Sequence, residues 1–268
     1  MTSPARNAAA NESILLRQDA GAIATLTMNR PQARNALSIA LMDALIQALE
    51  AIAGDPDIKV VVIAGAGPGF CAGHDLKELR ADPRREFYAA TFRRCSELML
   101  KITHLSKPVI ARVHGIATAA GCQLVATCDL AVAGTDARFA TPGVNIGLFC
   151  STPMVALSRA VPRKQAMEML LTGETISAAR ALEIGLINRA VATEQLDGAV
   201  AALAGVVAGK SPMTLAIGKE AFYRQADMGL ADAYAYTSEV MTRNMMARDA
   251  EEGIDAFIEK RHPTWQGC

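Results

Sequence analysis

The chain has 268 residues, of which 51% are hydrophobic and 20% charged, so the composition excludes a disordered protein and allows a large buried core. Its 27 basic and 27 acidic side chains cancel, which excludes bulk charge attraction to nucleic acid or to an anionic membrane surface. Aromatic residues make up only 4%, and no segment reaches the roughly 18–20 apolar residues of a membrane-spanning helix, so we expect neither nucleic acid nor a membrane as a partner.

The first residues, 1–13, are polar and alanine-rich and lack the apolar segment of a secretory signal, which predicts a disordered tail. A transit peptide is the weaker alternative, because Arg6 is the only basic residue among the first eleven. Cysteines occur at positions 71, 95, 122, 128, 150 and 268 and form no Cys-x-x-Cys pair. This spacing indicates reduced thiols rather than a disulfide framework or a zinc site, and we expect a cytoplasmic protein without a bound metal.

The first half of the chain alternates predicted strands and helices. Residues 22–28 alternate in polarity, which predicts a half-buried strand, and Ser38 is a favourable N-cap for a helix that continues to Gly54. Residues 59–64 predict a buried strand, followed by a glycine-rich loop over 65–69. Residues 84–103 predict an amphipathic helix, and residues 109–113 predict the next strand.

The later segments complete a loosely periodic pattern. A buried helix is predicted over residues 121–128, with short strands over 130–133, 137–140 and 186–191. The strand-strand-helix rhythm of the first 140 residues predicts an α/β fold, a coil of stacked ββα units. We expect this core to span residues 14–205 and a helical C-terminal region to span residues 206–268.

Two segments share one physical design, in which a strand runs into small residues and a helix begins at once. They cover residues 70–76 and residues 117–123. The first amides of a helix lack an intrahelical acceptor and carry the positive end of its dipole. Two such amides that converge on one oxygen would form an oxyanion hole. From spacing alone, the simpler interpretation is a pair of close-packed turns between strand and helix.

The order of these motifs resembles the crotonase (enoyl-CoA hydratase/isomerase) superfamily. The usual A-G-x-D-[IL]-K run corresponds to Ala-Gly-His-Asp-Leu-Lys at residues 72–77. The usual G-G-G-C-E-L run corresponds to Ala-Ala-Gly-Cys-Gln-Leu at residues 119–124, and the usual proline-glutamate dipeptide corresponds to Pro142 and Gly143. The similarity extends from about residue 14 to the end of the chain.

The resemblance implies a spiral fold and a protein that binds acyl-CoA thioesters. It assigns polarisation of the thioester carbonyl to the backbone amides of His74 and Ala120. It also implies subunits that pack through the C-terminal helices into trimers or dimers of trimers, and no cofactor besides the CoA of the substrate. The residues that it places along CoA are Ala72, His74, Asp75, Leu76, Lys77 and Ala120.

The departures from the family pattern concern proton transfer. Gln123 and Gly143 stand where family hydratases carry the two glutamates that handle the water and the Cα proton. An amide cannot act as a general base at neutral pH, glycine has no side chain, and each lost group typically costs ~10²–10⁴ in rate. Cys150, in the altered turn that follows, is a candidate acid-base group, although a buried apolar thiol is the simpler interpretation. The His74 side chain is expected to point away from the substrate.

Two functions follow from this pattern. The first is an enzyme of the acyl-CoA lyase/isomerase class in fatty acid metabolism, with weak or absent ordinary hydratase activity. The alternative is a non-catalytic acyl-CoA-binding regulatory protein of lipid metabolism. If only the two carboxylates are missing, replacing Gln123 and Gly143 together by glutamate is expected to raise hydration.

Overall fold

The computed structural model describes residues 13–268, so residues 1–12 of the predicted tail lie outside the described residues. Its strands are β1 Leu15–Ala20, β2 Ile23–Met28, β3 Val60–Gly65, β4 Val109–Val113, β5 Ile116–Thr118, β6 Leu130–Gly134, β7 Arg138–Ala140, β8 Ile176–Ser177 and β9 Arg189–Val191. Its helices are α1 Ile39–Ala53, α2 Leu76–Ala81, α3 Arg85–His104, α4 Ala120–Thr127, α5 Pro153–Ala160, α6 Arg163–Thr172, α7 Ala178–Glu183, α8 Leu196–Ala208, α9 Pro212–Gln225, α10 Leu230–Met245 and α11 Arg248–Glu259.

The strands form two sheets whose connections confirm the predicted spiral. The larger sheet has six strands in the order β1-β2-β3-β4-β6-β9, and every pair except the antiparallel β1–β2 pair is parallel. The smaller sheet has three strands in the order β5-β7-β8, with β5 parallel to β7. Parallel neighbours need long crossovers. The chain therefore makes successive turns through both sheets before it reaches the C-terminal helices.

The central strand β3 of the larger sheet is buried on both faces. In β3, Val61 and Ile63 join the main core beneath α1, α3 and α4, whereas Val60 and Val62 face the opposite way, toward α8. This double burial explains the continuous apolar run of β3, because such strands do not need alternating polarity. Helix α8 therefore packs on the larger sheet. The domain boundary that we predict after residue 205 falls inside this helix, and it stays a prediction.

The sequence pattern does not predict β1. It pairs antiparallel with β2 at the edge of the larger sheet, and its residues after Leu15 are all exposed. An edge strand with no buried face leaves no alternation in its sequence, so only the pairing with β2 defines it.

No single helix among residues 13–268 is both long enough and apolar enough to cross a membrane. Two consecutive helical segments, Thr193–Ala208 and Pro212–Gln225, reach that length and apolar composition only when taken together, and they are bent by 100° relative to each other.

Asp129 anchors the C-terminal helices to the core. Its carboxylate accepts hydrogen bonds from Lys219 Nζ (2.6 Å) and Tyr223 OH (2.9 Å) of α9, and from the Val109 amide (2.7 Å) of β4. Burial lowers the pKa of Lys219, although Asp129 opposes that shift. Because the carboxylate oxygens are engaged by these donors, Asp129 is a structural group that fixes α9 against β4.

Asn35 fixes the glycine-rich loop that leads into the second half of the spiral. Its side chain is fully buried; its Nδ2 donates to the carbonyls of Ala66 (2.8 Å) and Gly69 (2.9 Å), and its Oδ1 accepts from the Arg30 amide (2.9 Å). Its φ of 54° lies in the left-handed region, which asparagine tolerates better than most residues. The residue therefore combines a special backbone conformation with hydrogen bonds on both sides.

We predict that Asn35→Ala lowers the free energy of unfolding by about 3 kcal/mol or more, because each buried partner left unsatisfied costs roughly 1–3 kcal/mol. Denaturant unfolding followed by circular dichroism measures the effect. Gln47→Ala, on the exposed face of α1, is the matched control and should change stability little. A loss as small for Asn35→Ala as for Gln47→Ala would contradict the role given to Asn35.

Candidate functional site

The two small-residue segments meet in the structure. The Cys71 amide donates to the Ile116 carbonyl (3.0 Å), and the Cys71 carbonyl accepts from the Thr118 amide (2.9 Å). The first turn of α4 packs on the same carbonyl, since a Cβ at Gly121 would lie 2.1 Å from the Cys71 oxygen. Only glycine fits at residue 121 without displacing one of the two segments. This contact brings the residues that follow Cys71 next to the N-terminus of α4.

Each segment presents one backbone amide directly after a residue with positive φ. Gly73 (φ 93°) precedes His74, and Ala119 (φ 51°, ψ −118°) precedes Ala120. A Cβ at Gly73 would lie 3.3 Å from the Ala120 nitrogen, so the two segments are in direct contact at this point. This proximity places the His74 and Ala120 amides side by side.

Neither amide is used by the surrounding backbone. Leu37 and His74 form an isolated β-bridge of two hydrogen bonds. The Leu37 amide donates to the Gly73 carbonyl (2.7 Å) and the Asp75 amide donates to the Leu37 carbonyl (3.2 Å), so the His74 N–H takes no part in the bridge. Ala120 opens α4, where the amide has no intrahelical acceptor. Two adjacent, unused amides can donate to one oxygen and stabilise negative charge on it.

Ala119 holds a backbone conformation that normally belongs to glycine. The positive φ costs a residue with a Cβ roughly 1–3 kcal/mol. The conformation is held from both sides, because the Ala119 amide donates to the Ala140 carbonyl (2.9 Å) and the Ala119 carbonyl accepts from the Gln123 amide (3.0 Å). The turn before α4 thus keeps its shape despite the alanine.

The run over residues 72–77 is fixed mainly by Asp75. This residue caps α2 by accepting from the Lys77 (3.1 Å) and Glu78 (3.3 Å) amides, and it pairs with Arg30 (2.9 Å). Burial alone would raise the pKa of Asp75, but these hydrogen bonds outweigh burial and lower the pKa. The carboxylate is therefore committed to the scaffold, whereas the Leu76 and Lys77 side chains are exposed.

Gln123 and Gly143 supply no carboxylate, and their surroundings differ. Gln123 is buried on α4, and its Oε1 lies 3.8 Å from the Cys95 Sγ of α3. Gly143 lies in the short 3-10 helix Pro142–Ile146, where a Cβ would approach the Leu148 oxygen to 2.8 Å and the Cys150 Sγ to 2.9 Å. The turn that follows has moved into the space that a side chain at residue 143 would need.

The thiols near the site are poor proton acceptors. Burial raises the pKa of Cys150, although a hydrogen bond with the Gly143 backbone opposes the shift. Burial also raises the pKa of Cys71, Cys95 and Cys122 to about 12. All six cysteines are free, and all but Cys268 are buried. These groups remain protonated thiols at neutral pH, so a thiolate base at Cys150 is disfavoured.

The sequence gives no signal for the position of the His74 ring. The ring packs edge-on against Phe92 of α3, with the two ring centroids 5.3 Å apart and the ring planes at 79°. Both ring nitrogens are buried and have no hydrogen-bond partner in the part of the chain that the structure describes, and the same holds for Thr141 Oγ1. Burial lowers the pKa of His74, and the Leu37 backbone opposes the shift only partly.

Comparison with known proteins supports the resemblance seen in the sequence. The family profile described as Enoyl-CoA hydratase/isomerase matches residues 18–268. Enoyl-CoA hydratase domain-containing protein 3, mitochondrial, of Rattus norvegicus is 49% identical over 249 residues, which cover 93% of this chain and 83% of the rat protein.

Two solved structures have the same fold. An enoyl-CoA hydratase of Mycobacterium smegmatis superposes with a TM-score of 0.93 at 55% identity, covering 95% of this chain and 99% of that chain. Human enoyl coenzyme A hydratase domain-containing protein 3 superposes with a TM-score of 0.92 at 46% identity, covering 94% of this chain and 100% of that chain.

The predicted cytoplasmic location is wrong by the same comparison. The rat protein and its mouse, frog and human counterparts are all named mitochondrial proteins. The prediction failed because its physical basis was too coarse. Buried, reduced thiols distinguish a reducing compartment from an oxidising one but do not distinguish two reducing compartments from each other.

We predict that Ala119→Gly raises the free energy of unfolding by about 1 kcal/mol. Glycine relieves the positive-φ strain at residue 119, and this gain exceeds the extra freedom that glycine gives the unfolded chain. Differential scanning calorimetry measures the effect as a higher Tm. Ala120→Gly is the matched control and should lower the Tm, because Ala120 is helical and has no such strain to relieve. Equal effects of the two changes would contradict the strain at Ala119.

Proposed function

The chain belongs to the enoyl-CoA hydratase/isomerase family, and we propose that it binds an acyl-CoA thioester whose carbonyl oxygen accepts hydrogen bonds from the His74 and Ala120 amides. The observation that supports the proposal is the direct contact of the two segments, where a Cβ at Gly73 would lie 2.9 Å from the Ala119 Cβ and 3.3 Å from the Ala120 nitrogen, just before each of the two amides. A ligand oxygen there would meet two preorganised donors, which stabilise an enolate-like charge. The reaction class is acid-base chemistry at Cα and Cβ of the acyl group, as in lyases and isomerases, with no cofactor besides CoA.

The CoA moiety is proposed to lie along the run that begins at Ala72. His74 supplies its amide there, and the exposed Leu76 and Lys77 side chains offer an apolar surface and a positive charge. The Asp75 carboxylate is engaged by Arg30 and by the α2 cap, so its contribution is to hold the run in place.

Ordinary hydration is proposed to be weak, because the two usual glutamates are replaced by Gln123 and Gly143. Each missing group removes ~10²–10⁴ in rate. The crowding around Gly143 also changes the expectation that glutamates at residues 123 and 143 would raise the hydration rate. A glutamate there must displace the Leu148 carbonyl and the Cys150 thiol, so the paired changes Gln123→Glu and Gly143→Glu are not expected to raise hydration.

A non-catalytic acyl-CoA-binding regulatory protein of lipid metabolism is the alternative function. The chemistry of the nearby side chains favours it. Gln123 and Gly143 stand where family hydratases carry proton-transferring glutamates, and burial raises the pKa of the Cys122 and Cys150 thiols. Incubation with a panel of acyl-CoA thioesters, followed by mass spectrometry, separates the two functions. A new product supports an enzyme, and saturable binding without product supports the regulatory protein.

Assembly into trimers or dimers of trimers is proposed from the surface of the C-terminal helices. Large apolar side chains are exposed there, as expected of a surface that meets other subunits. They include Phe222, Leu230, Tyr234, Met241, Met245, Met246, Ile254, Phe257 and Ile258.

We predict that butanoyl-CoA labelled with carbon-13 at its carbonyl binds and shows a downfield carbonyl shift in NMR, because two donors withdraw electron density from the carbonyl. Ala120→Pro removes one donor at the first helical position, where no intrahelical hydrogen bond is lost, and should reduce that shift. Ala120→Gly keeps the amide and should reduce the shift much less. An equal shift in both variants, or no binding by calorimetry at millimolar ligand, would refute the proposed site.

We also predict that the wild-type protein hydrates crotonyl-CoA at least ~10²–10⁴ more slowly than a two-glutamate hydratase of the family assayed in parallel. The physical reason is that water activation and Cα protonation are separate proton transfers, and neither Gln123 nor Gly143 has a side chain that can perform either of them. Loss of the enoyl thioester absorbance measures the rate. Hydration at ordinary enzyme rates would mean that other side chains perform both proton transfers.

A further inference from the structure

The unsatisfied polar atoms of the interior point to one place in the molecule. Among the described residues, the buried side-chain nitrogen and oxygen atoms without a hydrogen-bond partner are Nδ1 and Nε2 of His74 and Oγ1 of Thr141. His74 is the residue whose amide forms half of the oxyanion hole. Thr141 directly follows Ala140, whose carbonyl holds the Ala119 turn. A buried polar group without a partner costs free energy, so its retention at a site suggests a partner that arrives with the ligand.

Helix α3 links the His74 ring to Gln123, which stands where family hydratases carry a proton-transferring glutamate. It packs against Phe92 of α3, and Cys95, three residues farther along the same helix, contacts the Gln123 Oε1 at 3.8 Å. Residues three apart are neighbours on one face of a helix. The His74 ring and the Gln123 side chain therefore contact adjacent positions of α3, next to the two oxyanion amides.

We propose that the His74 imidazole is the proton-transfer group of this site and acts on the Cα of the bound acyl group. This inference rests on the proposed function, since it needs a thioester held by the two amides. It also replaces the expectation that the His74 side chain points away from the substrate. The same residue then contributes an amide to the oxyanion hole and an imidazole to the reacting carbon, and it is a catalytic residue through both groups.

The other titratable groups around the ring cannot take the same role at neutral pH. On its own segment, Asp75 is bound by Arg30, which keeps its carboxylate engaged. Burial raises the pKa of Cys95 on α3, and that of Cys122 on α4, to about 12. Burial lowers the pKa of His74, which keeps its imidazole neutral at neutral pH, with one ring nitrogen free of a proton, although it also makes the ring a weaker base.

The step balances without an added reactant. A neutral ring nitrogen of His74 takes the Cα proton, and the electron pair of the C–H bond forms the carbon-carbon double bond of an enolate. The carbonyl π pair moves to oxygen, where the His74 and Ala120 amides hold the charge. The imidazolium then returns a proton to Cα. One group suffices for this exchange, whereas hydration needs two, which agrees with the loss of both glutamates.

The test is deuterium exchange at Cα of butanoyl-CoA in heavy water, followed by mass spectrometry. His74→Gln keeps the backbone amide and a polar side chain but removes the base, so we expect exchange to fall by ~10²–10⁴. The Kd for butanoyl-CoA, measured by calorimetry, should change little. His104→Gln is the matched control, because His104 is exposed at the end of α3, and it should exchange at the wild-type rate.

The outcomes separate this inference from the function on which it rests. Wild-type exchange in His74→Gln overturns the inference, and so does a wild-type protein that binds butanoyl-CoA without exchanging it, although binding then still stands. Failure to bind at all overturns the proposed function as well.

If His74→Gln does not fold, nitrogen-15 NMR of the wild-type protein provides the test. The chain has four histidines, and the His74 ring resonances should shift when butanoyl-CoA is added. A His74 ring that does not respond to the bound ligand overturns the inference.

Discussion

The candidate site depends on one close contact between two backbone segments. The Cys71 carbonyl sits against Gly121, in space that any Cβ at residue 121 would fill. Through that contact the strand-like segment after Cys71 reaches the N-terminus of α4, and the His74 and Ala120 amides become neighbours. A larger residue at position 121 would separate them, whatever else in the fold remained unchanged. The packing of small residues here is thus a condition for the chemistry as well as for the core.

The same contact explains where the protein carries strain and unsatisfied polar groups. Ala119 keeps a positive φ because its amide and carbonyl are both held by hydrogen bonds, and the two ring nitrogens of His74 have no partner among residues 13–268. Both features cost stability and would be removed if packing alone had shaped this region. Both features lie beside the two amides that we propose bind the ligand.

The surroundings of Gly143 leave no room for a side chain. Leu148 and Cys150, in the turn that follows, fill the space beside Gly143. Gln123, in turn, contacts Cys95 in the interface between α3 and α4. The site that we propose polarises a carbonyl and uses one proton-transfer side chain, His74, in place of two carboxylates. A single proton-transfer group suits enolate formation better than addition of water.

The sequence by itself determined the spiral α/β fold, the buried helix α4 and the strands of the larger sheet except β1. These features depend on local periodicity and on short motifs, which a sequence records directly. Only the tertiary structure decided that Ala119 takes a glycine conformation, that Gly143 has no room for a side chain, and that the His74 ring lies against α3. Each of these depends on atoms that are distant in the sequence, such as Ala140, Leu148 and Phe92, and a contact between distant residues leaves no local pattern.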